Sequence, residues 1–92
     1  MNKYALNYTT HFKKQRKLLI KRGWDIRELD NVVLMLISGE QLPEQLRDHP
    51  LNGSRRGQRD CHIHSDWVLV YERNDDVLTL CDTGTHADLF GE

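Results

Sequence analysis

An apolar run in the second half of the chain, residues 67–71 (WVLVY), limits the possible folds more than any other segment does. Four of these five residues are aromatic or β-branched, and no polar residue interrupts them. This composition is typical of a central strand that is buried on both faces. We therefore predict a strand at residues 67–73, flanked by strands at residues 58–63 and 77–81 in an antiparallel meander. Asn74 and Asp75 would form the hairpin turn between the last two strands.

The first half of the chain predicts one strand followed by a helical hairpin. Residues 3–8 alternate weakly, which indicates a strand with its aromatic face inward. A helix should begin at Thr9 or Thr10 and end before Gly23. A second helix should begin near Asp25 and carry an apolar stripe at helical spacing until it ends at residues 38–39. That stripe needs a partner surface, so the predicted fold is α+β, with both helices packed on one face of the sheet.

Length and composition indicate one globular domain spanning residues 1–92. The chain is 38% hydrophobic and 29% charged, as expected for a folded protein rather than a disordered one. It has no run near the roughly 20 apolar residues that a membrane span needs, and no signal peptide follows Met1, so a cytoplasmic location without membrane contact is expected. In that compartment Cys61 and Cys81 are expected to be small buried side chains rather than a disulfide.

The net charge of −1 hides an uneven distribution. Residues 1–27 carry eight basic groups and one acid, whereas the remainder carries five basic groups and thirteen acids. A basic helix is most often a solvated face, although it can also be an electrostatic footprint for nucleic acid. The overall balance does not favour the second explanation.

The candidate chemistry lies in residues 48–92, which hold four of the five histidines. His49, His62 and His86 each lie where a loop meets a predicted strand, and Asp66 directly precedes the predicted central strand. Because histidine titrates near neutral pH, these residues form a candidate acid–base site. His62 and His64 are two residues apart, so on a regular strand they share a face and could bind a metal with Asp66 or His86. We favour the acid–base site and an exposed turn position for His64.

Three arginines and one aromatic residue could complete such a site. Arg55 and Arg56 lie in a glycine-flanked loop, and Arg59 lies in a predicted strand near His62. Arginine binds phosphate through paired hydrogen bonds, although the two loop arginines could also simply keep the loop soluble. Phe90, near the C-terminus, would either pack against the domain or stack on a base. These residue types, without a metal motif, would suit a metal-independent ribonuclease as one option among several.

Three segments together resemble the YafQ branch of the RelE/ParE superfamily, the toxins of bacterial type II toxin–antitoxin modules. The segments are DHPLNGSRRGQRDCHI, SDWVLVYE and TGTHADLFG, within residues 48–91. The resemblance implies a RelE-like fold and a ribosome-dependent endoribonuclease (an mRNA interferase) that cleaves translated mRNA and needs no cofactor. The implied partners are mRNA, the 70S ribosome and a DinJ/RelB-like antitoxin, through which alone the toxin would meet operator DNA.

Matched by position, the resemblance implies a catalytic set with His86 as the general acid. Either His49 or Asp66 would be the base, with His62 assisting, Phe90 positioning the mRNA and Arg59 offsetting phosphate charge. One position departs from the pattern: relatives commonly carry arginine where this chain has Asp82. A carboxylate there would oppose RNA binding. Either Arg55 and Arg56 compensate for its charge, or the toxin is weakened. The competing hypotheses are a non-enzymatic ParE-like protein that acts on gyrase and a metal-binding domain.

Overall fold

The structure, a computed structural model, describes residues 2–91. A five-stranded sheet has the strand order β1-β5-β4-β3-β2, in which β1 is parallel to β5 and the other neighbours are antiparallel. The predicted α+β class is confirmed. The elements, in chain order, are β1 (Ala5–Tyr8), α1 (Thr10–Lys21), α2 (Ile26–Ile37), β2 (His49–Pro50), β3 (Arg59–His64), β4 (Trp67–Asn74), β5 (Val77–Gly84) and α3 (His86–Phe90), with short 3₁₀ turns at Glu44–Leu46 and Gly53–Arg55.

Strand β4 lies in the middle of the sheet and is buried on both faces, as predicted. Trp67, Leu69 and Tyr71 belong to the main core with α1 and α2, whereas Val68 and Val70 pack on the other face with Leu89 of α3. Because successive side chains of a strand point to opposite faces, this one strand contributes to both apolar layers. The face opposite the two long helices is therefore only partly covered, and that is where the candidate site lies.

The two long helices begin at side-chain caps that the sequence predicts. The Thr9 hydroxyl accepts a hydrogen bond from the Phe12 amide (3.0 Å) and donates one to the Cys81 carbonyl (3.0 Å), which joins the start of α1 to β5. Asp25 caps α2 by accepting from the Arg27 amide (3.1 Å). The apolar stripe of α2 is buried as predicted, through Leu29, Val32, Val33, Leu36 and Ile37. None of the helices within residues 2–91 has the length and apolar composition that crossing a bilayer requires.

Three local predictions were wrong in part. The predicted inward face of residues 3–8 is only partly covered: Tyr4 packs against the main core, but Leu6 and Tyr8 are 44% and 45% exposed, because β1 is an edge strand and α1 packs mainly against β5. The proline and glycine content of residues 48–57 predicts a loop, but these residues include β2, which pairs with the edge of β3, where a proline is tolerated. Strand β5 continues to Gly84 rather than ending at residue 81, and pairs there with Val68.

Candidate active site

The sheet register brings three histidines onto one surface. His49 on β2 pairs with Asp60 on β3, and His62 lies two residues further along the same face, opposite Val68. His86 follows the end of β5, which pairs with the same part of β4. As a result the His49 and His62 ring centroids are 6.5 Å apart, and those of His62 and His86 are 5.0 Å apart. The three imidazoles therefore form one continuous row, which we call the histidine row.

His86 is held by Asp66 from the β3–β4 turn. The Asp66 Oδ1 atom accepts hydrogen bonds from the His86 backbone amide (3.1 Å) and from its ring Nδ1. These hydrogen bonds from His86 hold the pKa of the Asp66 carboxyl below its ordinary value, so the carboxylate is charged beside the ring. With Nδ1 turned to Asp66, the Nε2 atom of His86 is the one left for a substrate.

The position of His86 is fixed by a capping box at the start of α3. The Thr85 hydroxyl accepts from the Asp88 amide (3.0 Å), and the Asp88 carboxylate accepts from the Thr85 amide (3.1 Å). Backbone hydrogen bonds to this carboxylate lower the pKa of Asp88, so the cap is charged at neutral pH. Gly84 precedes the box with φ +150°, and a side chain there would meet Asp88 Oδ2 at 2.9 Å.

His49 is also tied to the protein through its Nδ1 atom. Its Nδ1 atom lies 2.7 Å from the Arg47 carbonyl oxygen, to which it donates. A neutral His49 with its proton on Nδ1 has a free acceptor lone pair on Nε2. The side chain is about half exposed, so that lone pair can meet a substrate hydroxyl.

His62 occupies the middle of the row. Burial lowers its pKa, and the neighbouring His86, Arg47 and His49 lower it further, whereas Asp60 opposes them. The ring is therefore biased towards the neutral form, which both donates and accepts one hydrogen bond. These properties suit a residue that holds a phosphate oxygen rather than one that carries a permanent charge.

Asp60 belongs to this surface, although the sequence analysis did not identify it. It is 3% exposed and Oδ1 has no hydrogen-bond partner, because the nearby His49 Nδ1 (3.1 Å) directs its hydrogen to Arg47 instead. Burial raises the pKa of Asp60, while the charges of His49, His62 and His86 oppose that rise. The signal was present in the sequence, because Asp60 and His62 are two residues apart on one predicted strand.

A β-bulge separates His62 from His64. His62 pairs with Val68, but His64 pairs with Trp67, whose side chain points towards the long helices. The predicted shared face of the two histidines is therefore wrong, and the metal hypothesis loses one of its ligands. Within residues 2–91 no group of three or more His, Cys, Asp or Glu side chains is arranged to hold a metal.

Phe90 and Arg55 lie at the His86 end of the histidine row. The Phe90 ring lies 6.0 Å from the His86 ring, and the Arg55 guanidinium lies 5.3 Å from the Phe90 ring centroid. Arg55 also donates to the Leu89 carbonyl (3.0 Å), so it ties the loop after β2 to α3. Phe90 is half-buried and packs against the cluster of Val68, Val70 and Leu89, which is the first of the two roles considered for it.

Asp82 does not lie open on the surface where RNA would approach. It is 3% exposed, and its carboxylate accepts from the Thr83 amide (2.9 Å) and lies 3.1 Å from His11 Nε2 and 3.5 Å from an Arg55 nitrogen. Of the two arginines expected to compensate for this carboxylate, Arg55 therefore lies beside it. His11 on α1 is exposed, and its Nε2 atom is the one that faces Asp82.

Arg59 is not brought to the histidine row. It pairs with Tyr71 across the strands, so its side chain lies on the helix-bearing face, where it donates to Asp48 Oδ1 (3.1 Å). The same oxygen accepts from the Tyr71 hydroxyl (2.6 Å). Arg56 is exposed on the loop after β2 and forms no ion pair within residues 2–91. Of the three predicted phosphate-binding arginines, only Arg55 contacts the site.

Comparison with known proteins shows which family the chain belongs to. The family model described as the bacterial toxin of type II toxin–antitoxin systems, YafQ, matches residues 4–91. The chain belongs to the YafQ family. It is 41% identical to the mRNA interferase toxin YafQ of Escherichia coli strain K12 over 87 residues, which cover 94% of this chain and 95% of that protein.

Solved YafQ structures confirm the RelE-like fold. The crystal structure of YafQ from E. coli strain BL21(DE3) superposes with a TM-score of 0.92 at 39% identity, covering 96% of this chain and 99% of that one. The toxin in the crystal structure of the E. coli DinJ–YafQ toxin–antitoxin complex matches with a TM-score of 0.90 at 40% identity, covering 97% and 99%. Membership of the YafQ family therefore extends over nearly the whole chain.

Proposed function

We propose that this chain is the toxin of a type II toxin–antitoxin module and an mRNA interferase that cleaves translated mRNA on the ribosome. The observation that carries the proposal is the histidine row, with His86 hydrogen-bonded to the charged Asp66 carboxylate at one end and His49 free at Nε2 at the other. The 41% identity to the E. coli mRNA interferase toxin YafQ supports the substrate class.

The proposed reaction is attack of the RNA 2′-hydroxyl on the adjacent phosphate. A base removes the hydroxyl proton, an acid protonates the leaving 5′-oxygen, and hydrogen-bond donors stabilise the charged phosphorane. This scheme needs no metal, since both proton transfers are made by side chains. It fits a site in which the ring centroids of His49 and His62 are 6.5 Å apart and those of His62 and His86 are 5.0 Å apart.

His86 is the proposed general acid. Its Nδ1 atom is turned to Asp66, so a protonated ring presents the Nε2 hydrogen to the leaving oxygen. The charged Asp66 carboxylate stabilises the imidazolium before the transfer, and the capping box of α3 fixes where the ring stands. Asp66 thus acts through His86, as a positioning residue.

His49 is the proposed general base. Both alternatives remained open from the resemblance, but Asp66 already accepts two hydrogen bonds from His86, whereas the Nε2 lone pair of His49 has no intramolecular partner within residues 2–91. His62 lies between the acid and the base and would donate a hydrogen bond to a non-bridging phosphate oxygen. Phe90 would stack on a base beside the scissile phosphate, with Arg55 behind its ring supplying positive charge.

The proposed macromolecular partners are the ribosome, which would present the mRNA, and an antitoxin of the DinJ type. The second rests on the DinJ–YafQ complex, in which a structurally matching toxin is bound to DinJ. Contact with operator DNA would come through that antitoxin.

The test is to map mRNA cleavage in a reconstituted translation system with wild type and His86→Ala. Loss of general-acid catalysis should lower cleavage about 10²- to 10⁴-fold. Asn31→Ala is the control, because it removes an exposed, uncharged side chain of α2 that forms no side-chain hydrogen bond within residues 2–91. Cleavage by a folded His86→Ala variant at the wild-type rate would refute the proposed chemistry, and inhibition of DNA supercoiling without mRNA cleavage would favour the gyrase alternative.

A further inference from the structure

A cavity lies beside the candidate active site, at the β3–β4 turn. It has a volume of about 310 Å³ and lies between the start of α2 and that turn. Trp24, Trp67 and Thr85 line it together with Glu28, His64 and Asp66. This volume is at the small end of the range for ligand pockets. We call it the Trp24 cavity.

The Trp24 cavity shares a wall with the histidine row. Asp66 lines the cavity and also accepts both hydrogen bonds from His86. Thr85, the residue before His86, lines it as well. An RNA strand with its scissile phosphate against His86 would therefore have a neighbouring nucleotide at the mouth of this cavity.

The aromatic surface of the cavity is provided by two indoles that differ in exposure. Trp67 is buried, and its Nε1 atom donates to the Thr83 hydroxyl (2.9 Å). Trp24 is half-buried and packs edge-on against Trp67, with ring centroids 5.1 Å apart and an interplanar angle of 68°. The remaining accessible surface of Trp24 is thus a rigid platform on which a planar base can stack.

The acidic side chains around the cavity disfavour a phosphate group and favour a ligand that donates a hydrogen bond. Asp25 has both carboxylate oxygens bound to Arg27, at 3.0 and 3.1 Å, and Asp66 is bound to His86. Glu28 is exposed, and its carboxylate has no hydrogen bond or ion pair within residues 2–91. An acceptor without a partner at the edge of an aromatic cavity is complementary to the amino group of a nucleobase.

We propose that the Trp24 cavity is a nucleobase subsite that binds the base of a nucleotide flanking the scissile phosphate, by stacking on Trp24 and by accepting its amino group at Glu28. The inference rests on the proposed function, because it assigns part of the same RNA substrate to this cavity. It predicts preference for adenine, cytosine or guanine over uracil, which has no amino group.

The first experiment measures binding without cleavage. The ¹⁵N-labelled wild-type protein is titrated separately with adenosine, cytidine, guanosine and uridine, and amide and indole resonances are followed by NMR. The amino-bearing nucleosides should shift the Trp24 indole signal and the amides of residues 64–66, with weaker binding of uridine. Absence of shifts at these residues as each nucleoside approaches its solubility limit would overturn the proposal.

The variants separate stacking from hydrogen bonding. Trp24→Ala should weaken binding of every nucleoside about 5- to 140-fold, as expected for loss of one stacked base. Glu28→Gln lies on an exposed helix position and should fold normally, and it should weaken only the amino-bearing nucleosides, about 5- to 10-fold. Glu40→Gln, an exposed acid outside the cavity, is the matched control and should change none of them.

The second experiment maps mRNA cleavage sites in a translating system with the same variants. Glu28→Gln should reduce the discrimination against uracil at one position next to the cut. If the nucleosides bind but Trp24→Ala and Glu28→Gln leave the cleavage profile unchanged, the cavity is not a substrate subsite and the proposal fails. If the nucleosides bind and the wild type cleaves no mRNA, the base-binding site is supported and the proposed function is refuted instead.

Discussion

Replacing Asp82 by asparagine tests whether this buried carboxylate supports the site or opposes RNA binding. Asparagine keeps the shape of the side chain and can still accept a hydrogen bond from the Thr83 amide, which lies 2.9 Å from Oδ1. It removes the negative charge that lies 3.5 Å from Arg55 and 3.1 Å from His11, and it replaces the oxygen facing Arg55 by an amide NH2, which cannot accept from the guanidinium. The two roles predict opposite outcomes for this one change.

The size of the effect follows from the environment of each charge. A hydrogen bond to a charged group contributes roughly 1.5–3 kcal/mol, and removing one partner of a fully buried pair costs about 3–5 kcal/mol. Here the carboxylate is buried, but the Arg55 side chain is 28% exposed and keeps its hydrogen bond to the Leu89 carbonyl, so its charge is not stranded. We therefore expect Asp82→Asn to lower the free energy of unfolding by about 1–2 kcal/mol, or the melting temperature by about 4–16 °C.

The assay is urea denaturation at pH 7, followed by circular dichroism, for the wild type, Asp82→Asn, Arg55→Gln and the double variant. If Asp82 holds Arg55, the two changes are coupled, and the double-mutant cycle should give an interaction energy of about 0.5–1.5 kcal/mol. Asp76→Asn, in the exposed β4–β5 turn, makes the same charge change without an ion pair and should have no measurable effect.

Cleavage provides the second readout for Asp82. Because Arg55 lies against Phe90, loosening it should lower mRNA cleavage in Asp82→Asn. If the variant is as stable as wild type, shows no coupling to Arg55 and cleaves mRNA faster, the carboxylate acts on the RNA and our account of this position is refuted.

Two further predictions concern residues that the sequence analysis missed or misplaced. Burial raises the pKa of Asp60 above its ordinary value of 3.8, so the folded state binds the proton more tightly than the unfolded state. The stability of the wild type relative to Asp60→Asn should therefore fall as the pH rises from 3.8 through the raised pKa, and pH-dependent urea denaturation that shows no such trend would contradict the burial argument. Arg59→Gln should lower the free energy of unfolding by about 1 kcal/mol through loss of its bond to Asp48, while mRNA cleavage by the folded variant stays at the wild-type rate. A tenfold or greater fall in cleavage by Arg59→Gln, beyond what its loss of stability explains, would show that Arg59 takes part in cleavage.

The elements of the fold could be predicted because each has a local cause. The run at residues 67–71 has the composition of a doubly buried strand, and the Thr9 and Asp25 side chains cap the helices that follow them. Edge strands were harder to predict. Strand β2 consists of two residues with no apolar pattern, whereas the weak alternation of residues 3–8 predicted β1 but not the exposure of Leu6 and Tyr8. Both exist because a neighbouring strand offers free hydrogen-bonding groups, which local sequence does not reveal.

Part of the site could have been predicted better from strand parity alone. Within a strand at residues 58–63, residues 60 and 62 share a face and residue 59 lies on the other. That rule assigns Asp60 to the His62 surface and excludes Arg59 from it, as the structure shows. The surroundings of Asp82 could not be predicted in this way, because its partners His11 and Arg55 come from segments distant in sequence.

The bulge in β3 is the local feature on which the arrangement of both proposed sites depends. Without the extra residue, His64 would share the surface of His62, and the β3–β4 turn would begin on the side of the histidine row. With it, His64 and Ser65 line the Trp24 cavity, Ser65 takes a left-handed φ of +45°, and Asp66 contacts His86 from the turn. Because the Asp66 carboxylate belongs to both sites, a base bound in the Trp24 cavity would contact the residue that orients the proposed general acid. Recognition of the neighbouring base and protonation of the leaving oxygen would then be physically coupled.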